Sequence, residues 1–519
     1  MTELLTTAQM RAAEEAEIGS GVVSGLELME RAGQGVVAAI FERWPELAHT
    51  SHRALVLCGP GNNGGDGFVI ARLLKEAGWQ IDLLLFGDAA RLPPDARTNH
   101  DRWIKLGQVR PLEDPGAVPD DSGAEAPDLI VDAIFGTGLT RALPEVVTRT
   151  LSRISQGMAG RDRQVPCVAV DIPSGLSSDT GRALGCPMSF DLTVTFHSAK
   201  LGHYLADGPA LCGALRIADI GLRRQALPEP PAAGIVRLTR PPEGLGRSGG
   251  HKYTHGHAVI LSGGAGRTGA ARLAARGALR IGAGLVTLGV PGAAQLEVAS
   301  QVTAIMLARV DDAAGLSDLL EDARLNALCI GPGLGLKDHQ ASLVEAALKS
   351  GRPTVLDADA LSLLSGSGAL FAALHAGCVL TPHEGEFARL FPDIAQRLRD
   401  ASVGGGPAFS KVDAAREAAR RADCVVLLKG PDTIIAAPDG RCAINASVYD
   451  RAAPWLATAG SGDVLAGLIT GLLARGFDTM RAAEAGAWLH TQCAIRFGPG
   501  LIAEDVPEEL PAVLRALGL

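Results

Sequence analysis

Short, almost uninterrupted apolar runs, each closed by Gly, Asp or Pro, recur along the whole chain between helical stretches. In the first half they are RALVLCG, QIDLLLFG, DLIVDAIFG and PCVAVDIP; in the second, HAVILSGG, LVTLGVP, ALCIGPG, TVLDADA, CVLTPHEG, CVVLLKGP and DTIIAAP. A strand that is apolar on every residue must be buried on both faces, as in a parallel sheet covered by helices. The fold class predicted is therefore α/β, with ligands held beyond the carboxyl ends of the strands. At 519 residues the chain is too long for one core. The pattern lapses over residues 226–250 (ALPEPPAAGIVRLTRPPEGLGRSGG), which gain proline and glycine. This predicts a linker at 226–250 between domains of 1–225 and 251–519. The halves share an architecture and no motif, as expected of a fusion.

Bulk properties exclude several classes. A net charge of −9 leaves no basic footprint for nucleic acid. The nine cysteines are odd in number and lack a CxxC pair, so neither a disulfide framework nor a zinc knuckle is indicated, and a reducing, cytoplasmic setting is expected. No signal peptide or membrane span is read from the sequence. The glycine- and alanine-rich helices are compatible with a homo-oligomer, but no stripe names an interface.

In the second half, ATAGSGDVLAG runs small residues into one carboxylate, Asp463, and then into an apolar helix. Gly460 and Gly462 leave backbone N–H groups free to approach an anion, and the helix start adds its dipole. A carboxylate there repels phosphate unless it does chemistry, although it could simply cap the helix. KGPDT (Lys429, Gly430, Pro431, Asp432, Thr433) follows a strand and can hold nucleotide phosphates. Asp357 and Asp359 of VLDADAL are candidate magnesium or supporting carboxylates. His383, Glu384 and Glu386 open a helix as a cap or a substrate wall. No Walker-type loop is present, and Gly264, Gly266 and Gly269 form only a weak dinucleotide fingerprint.

In the first half, Gly59, Gly61 and Gly64 satisfy GxGxxG, with Asp82 about where a ribose-binding acid would fall. Asn62 and Asn63 interrupt that turn, and Asp66 would repel a pyrophosphate. Three strand ends deliver Asn63, Asp132 and Ser174 as hard oxygen donors suited to a cation. The loop GTGLTR could wrap a phosphate, and Lys200 lies at another strand end.

GNNGGDG, VDAIFGTGL, DIPSGL, TVTFHSAK and the early LMERAG occur in the order seen in the NAD(P)H-hydrate epimerase family, which residues 1–225 resemble. That resemblance implies a Rossmann-like three-layer domain and potassium on Asn63, Asp132 and Ser174. It implies that hydrated NADH or NADPH is held by Asn62, Asn63, Gly64, Gly65 and Asp66, by Gly136, Thr137, Gly138, Leu139, Thr140, Arg141 and Ala142, and by Asp171. The implied reaction interconverts the R and S hydrates at C6, for which Asp171, assisted by Lys200, is the expected acid–base group.

GPGLG, DADAL, TPH-x-GE, KG-xx-T and A-x-AGSGD resemble the ribokinase-like superfamily. More closely, residues 251–519 are similar to the ADP-dependent (S)-NAD(P)H-hydrate dehydratases. The resemblance implies ADP on Lys429 to Thr433 and Gly462, the hydrate near Ala270, Gly333, His383 and Asp463, and Asp463 as base. Magnesium is expected from phosphoryl transfer in general. The competing reading is a ribokinase-like vitamin-precursor kinase with a nucleotide-binding N-terminal module. The fusion disfavours it, because such a kinase has no use for an epimerase.

Overall fold

The computed structural model describes residues 3–113, 126–158, 165–185, 188–223, 234–247, 249–400 and 409–519. The chain divides into two compact units, one spanning Glu3–Pro228 and the other Glu229–Asp400 with Lys411–Leu519. The boundary expected at residue 225 lies outside the described residues.

The first unit carries a seven-stranded sheet of β1 (Arg53–Cys58), β2 (Gln80–Leu85), β3 (Arg110–Pro111), β4 (Leu129–Ala133), β5 (Cys167–Val170), β6 (Leu192–Phe196) and β7 (Ala214–Ala218). Its order is β3-β2-β1-β4-β5-β6-β7, and every pairing is parallel. Alternate residues of the apolar runs enter opposite layers, as the two-residue period of a strand requires. Val56, Val131 and Val168 join one core cluster, and Leu55, Leu57, Ile130 and Ala169 the other. Each fully buried Leu or Val contributes roughly 1.5–3 kcal/mol, which is why nearly every strand position is apolar.

The second unit adds β8 (Val236–Leu238), β9 (His257–Leu261), β10 (Leu285–Val290), β11 (Met306–Arg309), β12 (Ala327–Ile330), β13 (Thr354–Leu356), β14 (Cys378–Leu380), β15 (Val425–Leu428), β16 (Asp432–Ala436) and β17 (Cys442–Ala446). They lie in the order β8-β17-β16-β15-β14-β13-β12-β9-β10-β11. The pairings from β11 to β15 are parallel, whereas β16 runs antiparallel to both β15 and β17. The segment expected to be only a linker supplies β8, because Val236–Leu238 pairs with Cys442–Ile444. The short apolar run IVRL inside the proline-rich stretch has enough β character to extend the sheet beyond β17.

Both sheets have a topological switch point: in the first unit between β1 and β4, in the second between β9 and β12. At such a point the loops diverge and leave a crevice beyond the strand ends.

Candidate active sites

In the first unit the crevice is built from glycines that permit backbone contact. A Cβ on Gly59 would meet Ile134 O at 1.7 Å, so the loop after β1 lies directly on the end of β4. The helix Asn62–Glu76 starts after Gly61 with no side-chain cap, which leaves its first N–H groups open to a ligand. Asn63 and Asp171 come together here: a Cβ on Gly136 would lie 3.0 Å from Asn63 Oδ1 and 3.2 Å from Asp171 Oδ2.

Asp171 has φ 65°, a left-handed conformation that costs a non-glycine residue roughly 1–2 kcal/mol. Its surroundings enforce that geometry. Lys200 Nζ donates to Asp171 Oδ1 at 2.9 Å, to Thr195 Oγ1 at 2.7 Å and to Phe196 O at 3.1 Å. Thr195 Oγ1 donates to the same Asp171 oxygen at 2.9 Å. Burial is the largest influence on Asp171 and opposes its charge, but the Lys200 charge and hydrogen bond, joined by its other neighbours, together hold the carboxyl below its usual range. The second oxygen, Oδ2, accepts a 3.3 Å bond from the Thr137 N–H.

His203, missed in the sequence reading, ties the two groups together. Its Nδ1 accepts from the Lys200 N–H at 2.9 Å, so Nε2 carries the proton and donates to Asp171 O at 2.9 Å. Burial lowers its pKa to about 4, and the imidazole is neutral. The only signal in the sequence was its position three residues after Lys200.

Asp132 is fully buried at the end of β4. It accepts from Ser174 Oγ at 2.7 Å, Ser174 N–H at 2.8 Å and Ile134 N–H at 3.2 Å. Burial lifts its pKa to about 6 despite these bonds. Asp66 is also buried; desolvation first, then Asp171 and Glu14, push its carboxyl well above the usual range. That upward displacement weakens the repulsion toward a pyrophosphate that its position suggested. Asp82 sits within β2, paired to Arg53 at 2.6 Å, away from the carboxyl edge. The weak ribose-acid reading is thereby excluded. Arg141 and Ala142 are exposed.

In the second unit, Gly460 (φ 87°) opens the helix Ser461–Ala474 without a side-chain cap, and Asp463 lies in its first turn. His490 Nε2 contacts Ser461 O at 2.9 Å and braces this turn from behind. Lys429 Nζ, from the end of β15, donates to Asp357 Oδ1 at 2.8 Å and lies 3.8 Å from Glu386 Oε2. A Cβ on Gly462 would approach Lys429 Nζ to 3.4 Å, so glycine there keeps the ammonium beside the helix start. Burial, then the Asp357 charge, raises Asp463 to about 6, with Lys429 opposing.

The KGPDT segment divides its work. Thr433 Oγ1 donates to Gly430 O at 2.7 Å and accepts the Gly430 N–H at 3.1 Å, closing the turn, while Asp432 pairs with Lys411. Lys429 is the group it turns toward the helix start. Gly333 (φ 65°) lies beside Ala270, since its Cβ would be 3.8 Å from that of Ala270. His383 is the N-cap of the helix Glu384–Leu390, its Nδ1 accepting from the Gly385 and Glu386 N–H groups. Its Nε2 lies 3.3 Å from Glu386 Oε1. Glu386 completes the capping box and is buried, so the cap reading holds for it. Asp359 Oδ2 accepts the Gly335 N–H at 2.8 Å and shapes the loop after β12.

Residues 25–202 match the family described as YjeF-related protein N-terminus, and residues 258–508 match NAD(P)H-hydrate dehydratase. The chain is 36% identical to the bifunctional NAD(P)H-hydrate repair enzyme Nnr of Moorella thermoacetica, over 99% of this chain and 97% of that one. It is 33% identical to the enzyme of the same name from Coxiella burnetii, over 98% of each chain. Its N-terminal part is 51% identical to the NAD(P)H-hydrate epimerase of Rhodobacter capsulatus, covering 39% of this chain and 92% of that protein. Two switch-point sites on two α/β units, each matched by its own family in the expected order, establish that this chain belongs to the bifunctional NAD(P)H-hydrate repair enzymes, with an epimerase N-terminal half and a dehydratase C-terminal half.

Proposed function

We propose that Asp463 is the base of the dehydratase half and that ADP is the phosphoryl donor. The observation carrying this reading is a half-buried carboxylate in the open first turn of a helix, beside a lysine held by Asp357. Asp463 takes the proton from the C6 hydroxyl of the S hydrate as that oxygen attacks the terminal phosphorus. The Gly462-side N–H groups and Lys429 stabilise charge on the transferring group. The ring nitrogen then expels phosphate, and loss of a proton restores the dihydropyridine, giving NAD(P)H, AMP and phosphate. Ala270, Gly333 and His383 line the hydrate's side. Magnesium, when bound, would neutralise phosphate charge; of the two carboxylates read for it, Asp357 stands beside Lys429, whereas Asp359 accepts the Gly335 N–H.

In the epimerase half, Asp171, kept ionised by Lys200, is read as the acid–base group at C6, flanked by Asn62–Asp66 and Gly136–Ala142. A monovalent cation fits Asn63, Asp132 and Ser174. What supports this reading is Asp132, a buried carboxylate without a basic partner among the described residues. Held by these residues, potassium would supply fixed positive charge favouring the ionised form of Asp132. A reducing compartment such as the cytoplasm is the setting read for this chain, whose eight described cysteines are all buried.

The test is recovery of the reduced-nicotinamide absorbance from mixed R and S NADH hydrates with ADP, magnesium and potassium. Full recovery is expected. Recovery that halts at the S fraction would remove the epimerase assignment, and no recovery with ADP unconsumed would remove the dehydratase assignment.

A further inference from the structure

The helix Thr7–Gly19 lies outside the residues matched by the N-terminal family, and it covers the loop that faces Asp171. Thr7 Oγ1 donates to Thr137 O at 3.1 Å, and the Thr7 N–H donates to Asp179 Oδ1 at 2.7 Å. One turn on, Arg11 Nη2 lies 2.9 Å from where a Cβ of Gly138 would stand. Positions 7, 11 and 14 share one helical face, so Glu14 follows these two contacts along the same wall. The Thr137 N–H bonded to Asp171 Oδ2 belongs to that same loop.

The charges confirm the placement. Glu14 is half-buried, and burial, followed by the Asp171 charge, raises its carboxyl, while Lys200 and Arg11 pull it back and Glu15 adds a small push. Asp66, near the start of the helix Asn62–Glu76, also responds to both Asp171 and Glu14. Two carboxyls of one crevice are thus driven apart: Asp171 stays ionised and Glu14 keeps its proton more readily, the pattern that separates a base from an acid.

We propose that Glu14 is a catalytic residue of the epimerase half, serving as the general acid on the C6 oxygen while Asp171 serves the water that adds at the other face. The proposal rests on the epimerase reading of Asp171 given above. Glu14 gives its proton to the C6 hydroxyl as the C6–O bond breaks; the bonding pair leaves with oxygen, as water. The ring-nitrogen lone pair forms the C=N bond of an iminium, close to the negative charge of Asp171. A water molecule then adds to the opposite face, Asp171 takes its proton, and the iminium pair returns to nitrogen. One water leaves and one enters. Return of the proton from Asp171 to Glu14 through solvent resets the site.

The experiment uses the full chain and the R hydrate, with dehydration of the S hydrate by the same molecules as a control for folding. For Glu14→Gln, kcat for R-to-S conversion should fall about 100-fold or more, with KM within about threefold of the parent. The high-pH limb of the rate profile should vanish, and Glu14→Asp should restore part of kcat. Should Glu14→Gln melt prematurely, Glu14→Asp and the parent's pH profile carry the same test. An E14Q chain that epimerises within about threefold of the parent, or loses only KM, overturns the role. So does D66N abolishing kcat while E14Q does not. If the parent itself interconverts no hydrate, the epimerase reading fails first and takes this proposal with it.

Discussion

Lys429 and Asp357, 72 residues apart in sequence, meet at the ends of two strands through a single 2.8 Å hydrogen bond. Asp357 is 2% exposed, so its carboxylate depends on that ammonium. Lys429→Met leaves a buried charge unpaired, and a loss on the order of 3 kcal/mol is expected for the C-terminal unit by denaturant unfolding. ADP affinity measured by calorimetry should fall in parallel. Equal affinity in the variant would show that Lys429 serves stability alone.

Asp463 combines function with a stability cost. Its folded pKa of about 6 exceeds the unfolded value, so its charge is unfavourable in the native state at neutral pH. Asp463→Asn should therefore gain about 1–2 kcal/mol at pH 7, allowing for partial solvent screening. The gain should disappear below about pH 4, where the carboxyl is protonated in both states. Turnover should drop ~100- to 10,000-fold with ADP binding retained. A variant with even a third of the parental rate would contradict the base assignment.

His203 should make the N-terminal unit sensitive to acid. Its folded pKa of about 4 lies below the unfolded value near 6.5, so the unfolded chain binds the extra proton first. Stability is lost as pH falls from about 6.5 to 4, by up to about 3 kcal/mol. In His203→Gln, whose amide can still donate to Asp171 O, that loss should be absent and epimerisation largely kept. In His203→Asn the amide reaches only the Lys200 side, and epimerisation should fall. Identical pH–stability curves for parent and His203→Gln would refute the titration.

Potassium should stabilise the N-terminal unit if Asp132 is its ligand. Midpoints of thermal unfolding in potassium, compared with tetramethylammonium at equal ionic strength, should rise with concentration as linkage requires. The effect should fade as pH drops through about 6, where Asp132 takes up its proton. It should be absent in Asp132→Asn. A potassium effect surviving that substitution would place the ion elsewhere.

The strands were legible because burial on both faces leaves almost no choice but apolar residues, as in LVLC, LIVDA and CVAV. The turn residues that end them marked the carboxyl edge where Asp132, Asp171, Lys429 and Asp463 all fall. Val236–Leu238 was hidden because three residues among prolines carry too little pattern to reveal a strand. His203 and His490 were hidden because a buried histidine looks the same in sequence whether it braces a main chain or fills a core.

Local chemistry alone thus determined the two α/β units, the glycine loops and the positions of the acidic groups, since these follow from periodicity and from residues suited to close backbone approach. Tertiary structure decided which groups share a site and in which charge state. Lys200 is buried against Asp171 and holds it ionised, while burial with Asp357 raises Asp463. Those states depend on desolvation and on distances between residues far apart in the chain, and neither quantity exists until the sheets have formed.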